Sequence, residues 1–146
     1  IKRLIEETGA KTLLDYGSGK GRQYEIQPFH VKHGDGKEEE APSLADFWNV
    51  AVECYDPAWV PHADKAVLNR QYDIAIATDV LEHAGSEGQA RWIVGELFRR
   101  SEKAVFASIS CAPAVKFLPD GRNCHTFLKE PAWWGDIFGK AAQAYH

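Results

Sequence analysis

A glycine-rich segment with one acidic residue follows the first strongly apolar run of the chain. It reads Leu14-Asp15-Tyr16-Gly17-Ser18-Gly19-Lys20-Gly21. Glycines at alternate positions allow the backbone to turn tightly and bring a ligand close to the amides at the start of a helix. The segment therefore predicts a binding site for a nucleotide-like ligand.

Two common nucleotide-binding motifs do not fit this segment. A P-loop needs glycine at position 14 and serine or threonine after Gly19-Lys20, whereas the chain has Leu14 and Gly21. The dinucleotide motif Gly-x-Gly-x-x-Gly needs its third glycine at the position where Arg22 stands. Phosphate binding of the P-loop kind and binding of NAD are therefore both disfavoured.

An acid after a second apolar segment adds to the pattern. Asp56, which precedes Pro57, is placed to accept hydrogen bonds from both hydroxyls of a ribose. It lies further from Gly17 than the roughly 20 positions that are usual for such an acid, and a charged insertion at residues 28–42 explains the difference. The alternative interpretation is an exposed, turn-forming Asp-Pro pair.

A third segment carries a resemblance to a known family. The segment contains Tyr72-Asp73 and then Asp79-Val80-Leu81-Glu82-His83. It is similar to a signature of class I S-adenosylmethionine-dependent methyltransferases. The signature is specific when the motif Asp-x-Gly-x-Gly-x-Gly and a second acid precede it, as they do in this chain. Further segments resemble the short bacterial and phage-type methyltransferase-domain proteins: residues 103–107, 118–125 and 131–134. The resemblance covers nearly the whole chain.

The resemblance implies that S-adenosyl-L-methionine lies across the strand ends of the domain. Asp15 and the backbone of Gly17 and Gly19 would hold its methionine portion, Asp56 its ribose, and residues 79–81 the edge nearest the sulfonium. The implied cofactor-binding residues are Asp15, Tyr16, Gly17, Ser18, Gly19, Asp56, Pro57, Asp79, Val80 and Leu81. The chain departs from the family in its insertion and in a short segment before Tyr72, where Asp64 is the only acid available to contact adenine.

His83 and His125 are the candidate catalytic bases. Methyl transfer needs a base only where the acceptor must lose a proton. His83 is equally well explained as a structural histidine at the start of a helical segment, whereas His125 lies in a loop on the expected acceptor side. Trp133 and Trp134 are expected in the core rather than against an acceptor, because they belong to an amphipathic helix.

Composition and charge narrow the classes of partner. The chain has 146 residues, 45% of them hydrophobic, which fits a single domain over residues 1–146. A net charge of −4 gives no general attraction to nucleic acid or anionic lipid. The longest uncharged run near the middle, residues 104–115, is too short for a membrane span.

The cysteines and histidines predict neither disulfides nor a metal site. The three cysteines form no Cys-x-x-Cys pair, and a reducing cytoplasm is therefore the expected location. Cys124 with His125, and His30 with His33, lack the four-ligand spacing of a structural zinc site. The chain has no methionine and starts without an apolar signal segment, so it is expected to be a fragment that has lost its natural start.

The predicted elements alternate between helix and apolar strand. We expect helices over residues 1–8, 44–50 and 86–98, from Pro131 onward, and beginning near Arg22. Gly9 is expected to end the first helix, and Ser43 and Ser86 to cap the starts of the next two. Strands are expected over residues 11–15, 50–55, 72–78 and 103–109, with one more beginning in residues 140–146 and a solvated loop over residues 28–42. This order predicts an α/β fold, a three-layer sandwich around a mostly parallel, Rossmann-like sheet, minimal and truncated at its C-terminal strands.

The sequence hypothesis is a cytoplasmic methyltransferase that acts on a small molecule. The residues after Asp79 differ from the Asn/Asp-Pro-Pro-Tyr loop of many enzymes that methylate nucleic-acid bases. Acceptor specificity would come from residues 110–134, from the insertion or from a second copy in a homo-oligomer. Two alternatives stay open: a non-catalytic module that binds S-adenosylmethionine or regulates a partner, and an α/β enzyme that uses NAD.

Overall fold

The computed structural model describes residues 1–32, 34 and 36–145. His33 and Asp35, which belong to the predicted insertion, and His146 lie outside the described residues. The helices are α1 (Lys2–Thr8), α2 (Leu44–Trp48), α3 (Glu87–Arg100) and α4 (Pro131–Tyr145). The strands are β1 (Thr12–Tyr16), β2 (Phe29–Lys32), β3 (Glu38–Ala41), β4 (Ala51–Tyr55), β5 (Tyr72–Thr78) and β6 (Ser101–Ser108). Short 3-10 helices cover Arg22–Tyr24, Val60–His62, Lys65–Asn69 and Leu81–His83.

Four parallel strands form the central sheet, in the order β4-β1-β5-β6. Their sequences are apolar at successive positions, which is typical of strands that are covered on both faces. Leu13 and Leu14, neighbours in β1, are each fully buried although they point to opposite faces of the sheet. The predicted α/β architecture with a parallel sheet is therefore confirmed.

Helices cover both faces of this sheet. On one face Leu13 and Ile74 pack with Ile5 of α1. On the other face Leu14 packs in a larger core with Leu97 of α3. Trp134 of α4 is 4% exposed in that second core, as predicted for a residue of an amphipathic helix. The carboxyl ends of the strands are left as the edge where a ligand can bind.

Several helix ends follow the local sequence. Gly9 ends α1 in the left-handed conformation, with φ 61°. Ser43 accepts a hydrogen bond from the Asp46 amide at 3.2 Å and so caps α2. Ser86 caps α3 in the same way by accepting from the Gln89 amide at 3.2 Å. These helix starts and stops were predicted correctly because they depend on residues that are close in sequence.

The prediction of a solvated loop over residues 28–42 is wrong. Strands β2 and β3 form an antiparallel hairpin there, with Phe29 opposite Ala41. The Phe29 ring packs 5.8 Å from that of Phe47 on α2, and Ala41 is buried. Lys32 pairs with Glu38 across the hairpin at 3.0 Å. Lys32, Glu38 and Glu40 are exposed, whereas Glu39 is half-buried and pairs with Lys2 of α1 at 3.2 Å. Composition alone does not distinguish this pattern from a loop.

Two other predicted elements differ from the structure. Residues 140–145 continue α4 instead of beginning a strand, and the hydroxyl of Tyr145 accepts a hydrogen bond from Arg99 of α3 at 2.9 Å. The helix predicted near Arg22 is a single 3-10 turn. Residues 56–71, all of them described, contain two 3-10 helices and no strand. Within the described part of the chain, no helix combines the length and the apolar character needed to cross a bilayer.

Asp73 ties the beginnings of β1, β5 and β6 together. Its Oδ2 accepts hydrogen bonds from the amides of Lys11 at 2.6 Å and Thr12 at 3.0 Å. Its Oδ1 lies 2.8 Å from Nζ of Lys103. The Lys103 ammonium and these backbone donors lower the pKa of Asp73 to about 2 from an ordinary 3.8. The ionised carboxylate is thus favoured by folding.

Replacement of Asp73 by asparagine is expected to destabilise the fold in a pH-dependent way. Because the pKa is depressed in the folded state, the stabilisation is complete above about pH 4 and is lost as the pH falls towards about 2. Urea unfolding at neutral pH should show a loss of about 1–2 kcal/mol for Asp73→Asn, and the gap from wild type should narrow between about pH 4 and pH 2.

Asp136→Asn is the matched control, since Asp136 pairs only with Lys140 on the exposed surface of α4. It should change stability by less than about 0.5 kcal/mol. A gap between Asp73→Asn and wild type that does not change with pH would contradict the role given to the carboxylate charge.

Candidate functional site

The carboxyl ends of β4, β1 and β5 lie side by side, and the residues that follow them enclose a cavity of about 590 Å³. Many of the predicted cofactor-binding residues line this cavity: Tyr16, Gly17, Asp56, Pro57, Asp79 and Val80. They come from three segments that are far apart in sequence. The fold therefore brings these residues to one place.

Gly17 is the point at which β1 and the segment after β5 come closest. Its backbone has φ +81°, in the left-handed region that other residues rarely adopt. A Cβ atom at Gly17 would lie 2.9 Å from Cγ1 of Val80 and closer still to Cγ2. Gly19, with φ +59°, has open space where its Cβ would be. Both glycines serve the turn, but only Gly17 is needed for a close approach.

Three successive backbone amides of the glycine-rich turn, those of residues 17–19, donate within the protein. The Gly17 amide donates to the Tyr55 carbonyl at 2.7 Å, and the Ser18 amide donates to the same oxygen at 3.2 Å. The Gly19 amide donates to Oδ2 of Asp56 at 2.7 Å. The turn is therefore not arranged as a cradle for a phosphate group, which needs amides that point at the anion.

Asp56 forms a turn at the end of β4 and faces the cavity. Its Oδ1 accepts a hydrogen bond from the Ala58 amide at 2.8 Å, while Oδ2 accepts from Gly19. A carboxylate oxygen has two lone pairs, so each oxygen keeps the capacity to accept a second hydrogen bond. The contact with Gly19 fixes the carboxylate beside the glycine-rich turn. The alternative interpretation, an exposed Asp-Pro turn, describes Asp56 only in part. The residue does form a turn, but its side chain is partly buried.

Other predicted cofactor-binding residues do not line this cavity. Ser18 and Gly19 face a second cavity of about 490 Å³, which Gly17 also lines. Leu81 is fully buried in the core beneath α3. Asp64, the acid considered for adenine, caps the Lys65–Asn69 3-10 helix and lies away from the main cavity.

Asp15 is buried beneath the turn, with 1% of its surface exposed. Its Oδ2 accepts hydrogen bonds from the hydroxyl of Tyr24 at 2.8 Å and from the side-chain amide of Gln23 at 3.1 Å. Its Oδ1 is buried and has no hydrogen-bond partner among the described residues. Desolvation raises the pKa of Asp15, against the lowering effect of those two donors. Asp15 therefore orders the residues after the turn and does not reach the main cavity.

Asp79 brings a negative charge to the edge of the cavity. It is one of the few non-glycine residues with positive φ, at 55°, a conformation that Asp and Asn tolerate better than most residues. Its amide donates to the Ser108 carbonyl at 2.9 Å, and its Oδ1 accepts from the Ser108 hydroxyl at 3.2 Å. With Asp56 and Lys65, the charged residues of the cavity wall comprise two acids and one lysine.

His83 and His125 form a pair at one end of the cavity. Their ring centroids lie 5.1 Å apart and their planes are nearly perpendicular. Nδ1 of His83 lies 2.7 Å from the Cys124 carbonyl, and Nδ1 of His125 lies 2.6 Å from the Ala112 carbonyl. A carbonyl only accepts, so each Nδ1 carries the proton and the neutral ring has its lone pair on Nε2. His83 also lines the cavity directly.

Several residues of the cavity wall were missed by sequence reasoning, among them Tyr55, Lys65 and Trp92. Tyr55 packs against Tyr16 with ring centroids 5.1 Å apart, and burial raises the pKa of Tyr16 to about 12, so its hydroxyl stays neutral. Trp92 is 54% exposed on α3. An exposed tryptophan on the polar side of an amphipathic helix was the signal that could have identified it.

No protein-family model, no curated protein and no solved structure matches the chain. The function of the chain is therefore inferred from its residues and their geometry.

Replacement of Gly17 by alanine is expected to disrupt the cavity more than the same change at Gly19. Both variants place a side chain at positive φ, which costs about 1–2 kcal/mol, but only Gly17→Ala also collides with Val80. In urea unfolding Gly17→Ala should lose at least about 1 kcal/mol more than Gly19→Ala. Equal losses in the two variants would show that the contact with Val80 does not constrain the strand ends.

Proposed function

We propose that the chain is a class I S-adenosylmethionine-dependent methyltransferase and that the cofactor binds in the 590 Å³ cavity. The observation that carries this proposal is the placement of Asp56 and Asp79 on either side of a glycine-rich turn, at the ends of the two strands that flank β1. Acids at these positions suit a ligand with a ribose diol and a positive charge. A minimal Rossmann-like methyltransferase sheet is part of the same proposal.

The cavity fits such a ligand in size and in charge. Small-molecule sites usually have volumes of roughly 300–1,000 Å³, and this cavity lies within that range. Asp56 would accept hydrogen bonds from the ribose hydroxyls with the lone pairs that Gly19 and Ala58 leave available. Asp79 would lie near the sulfonium, and the exposed face of Trp92 offers a flat surface to an aromatic base.

The hydrogen bonds of the turn distinguish this ligand from NAD. A pyrophosphate is held by backbone amides at a helix start, and the amides of Gly17, Ser18 and Gly19 already donate within the protein. The segment after them is a single 3-10 turn instead of a long helix with a substantial dipole. A positively charged ligand with a ribose needs hydrogen-bond acceptors and negative charge. Asp56, beside the glycine-rich turn, provides both.

S-adenosylmethionine supplies a methyl group on a positively charged sulfur; an acceptor lone pair forms the new bond as the sulfur–carbon bond breaks, and sulfur keeps the electron pair. The residues of this chain orient the two reactants, which can contribute several kcal/mol, and exclude water. His83 and His125 each present an unprotonated Nε2 and could take a proton from an acceptor hydroxyl or amine. The proposed acceptor is a small molecule, since the net charge of −4 does not favour nucleic acid.

Calorimetric titration of the protein is expected to show binding of S-adenosylmethionine and S-adenosylhomocysteine, with no binding of NAD. The reason for this expectation is that acids lie at the strand ends and that the amides of Gly17, Ser18 and Gly19 already donate within the protein. The proposal is contradicted if neither sulfur compound binds at concentrations up to about a millimolar. A Kd of that size corresponds to a binding free energy of only about 4 kcal/mol.

Binding without turnover on any of a panel of hydroxyl and amine acceptors would favour the second hypothesis, a non-catalytic module that binds the cofactor. His125→Ala distinguishes the two further, because a base that acts on the acceptor affects turnover and leaves cofactor affinity unchanged.

Asp79→Asn is expected to weaken S-adenosylmethionine binding more than S-adenosylhomocysteine binding. Asparagine tolerates the left-handed backbone of residue 79 and keeps an acceptor for the Ser108 hydroxyl, so the change removes mainly the negative charge. A sulfonium is positive and a thioether is neutral, and one exposed charge is worth about 1 kcal/mol, or about fivefold in Kd. An equal loss for both ligands would exclude a contact between Asp79 and the sulfonium.

A further inference from the structure

We propose that Glu82, His83 and His125 form a binding site for a divalent transition-metal ion. One ligand atom from each of these side chains lies within 4.8 Å of the others. The spacing of cysteines and histidines in the sequence predicted no such site, because Glu82 and His125 come from separate segments that only the fold brings together. This inference goes beyond methyl transfer and does not depend on it. A histidine that binds the ion through Nε2 has no lone pair left to act as a base, so the two roles are alternatives for each ring.

The hydrogen bonds of both histidines prepare them as metal ligands. Nδ1 of His83 donates to the Cys124 carbonyl, and Nδ1 of His125 donates to the Ala112 carbonyl. Metal-bound histidines in proteins usually donate their second ring N–H in this way, and the bond fixes the tautomer and the orientation of the ring. The lone pair of each neutral ring is therefore on Nε2, the nitrogen that the carbonyls leave free.

The loop that carries His125 is itself held in place. The Asn123 side chain accepts hydrogen bonds from the amides of His125 and Ala114, both at 2.9 Å, and donates to the Ala114 carbonyl at 2.8 Å. This clamp positions the Ala112 carbonyl and the His125 ring relative to each other. A preformed arrangement of ligands lowers the conformational cost of binding an ion.

Glu82 provides the second, independent observation. Its side chain is fully buried, and its Oε1 accepts a hydrogen bond from the Ser110 amide at 3.0 Å. Its Oε2 is buried and has no hydrogen-bond partner among the residues that the structure describes. An ionised carboxylate in the interior is costly unless a cation or donors neutralise it. A metal ion shared with the two histidines would satisfy this oxygen and its charge together.

The donor set indicates the class of ion. Two imidazole nitrogens and one carboxylate are typical ligands of Zn²⁺, Co²⁺ and Fe²⁺, whereas Mg²⁺ and Ca²⁺ prefer sites made of oxygen alone. Three protein ligands leave coordination positions for water or for another oxygen ligand, as in catalytic rather than structural sites. His83 lines the 590 Å³ cavity, so these positions would lie at its wall.

The test is calorimetric titration with Co²⁺ and with Zn²⁺, on protein made without a polyhistidine tag and dialysed against a chelator. We expect one ion per chain with micromolar affinity, in the absence of any methyl donor. Glu82→Gln keeps the size of the side chain and an acceptor for the Ser110 amide, and it should lower the affinity roughly tenfold or more. His125→Ala, in an exterior loop, should do the same without removing a core residue.

His30→Ala is the matched control. This histidine is exposed on β2, away from the cluster, and its loss should leave the affinity unchanged. Two results would overturn the proposal. One is that neither ion binds saturably to the wild-type protein at concentrations up to about a millimolar. A Kd of that size corresponds to a binding free energy of only about 4 kcal/mol. The other is binding that is equally strong in Glu82→Gln and His125→Ala, which would place the ion elsewhere. Neither result bears on whether the protein binds S-adenosylmethionine.

Discussion

The close contact between Gly17 and Val80 is the constraint on which the rest of the candidate site depends. Because residue 17 has no side chain, the turn after β1 can lie directly against the segment after β5. The same approach lets the Gly17 amide donate to the Tyr55 carbonyl at the end of β4. Three strand ends are thereby joined at one residue, and Asp56 and Asp79 are held on the two sides of it. A larger side chain at this position would separate the acids that define the cavity.

The sequence was informative wherever a structure depends on neighbouring residues. Gly9 and the capping serines predicted the ends of helices, and the apolar runs predicted the strands of the parallel sheet. The acids Asp56 and Asp79 could also be placed from sequence, because parallel strands end at a common edge whatever their order. The role of these acids in binding a cofactor stays a prediction, since it concerns a ligand and not the chain alone.

The sequence was uninformative where contacts join distant segments. The sequence of residues 28–42 does not show that Phe29 packs against Phe47. Judged by composition alone, this charged segment is the same as a loop. The cofactor contact of Asp15 was predicted from its position in the glycine-rich segment and stays a prediction. The structure adds that Gln23 and Tyr24 donate to its carboxylate, and these contacts depend on how the following turn bends. Such partners can be identified only from the folded chain.

The short turn over residues 81–84 links the cavity to the loop after β6. The Glu82 carbonyl accepts from the Phe127 amide at 2.9 Å, its side chain accepts from Ser110, and the Ala84 carbonyl accepts from the Thr126 hydroxyl at 3.1 Å. These bonds hold both ends of the loop that carries His125. Asp79 lies just before this turn and His83 lies within it, and both line the cavity. The turn therefore connects the cavity wall to the loop that carries His125. Through its carbonyl and its side chain, the buried Glu82 contacts both ends of that loop, so its place in the core is not explained by packing alone.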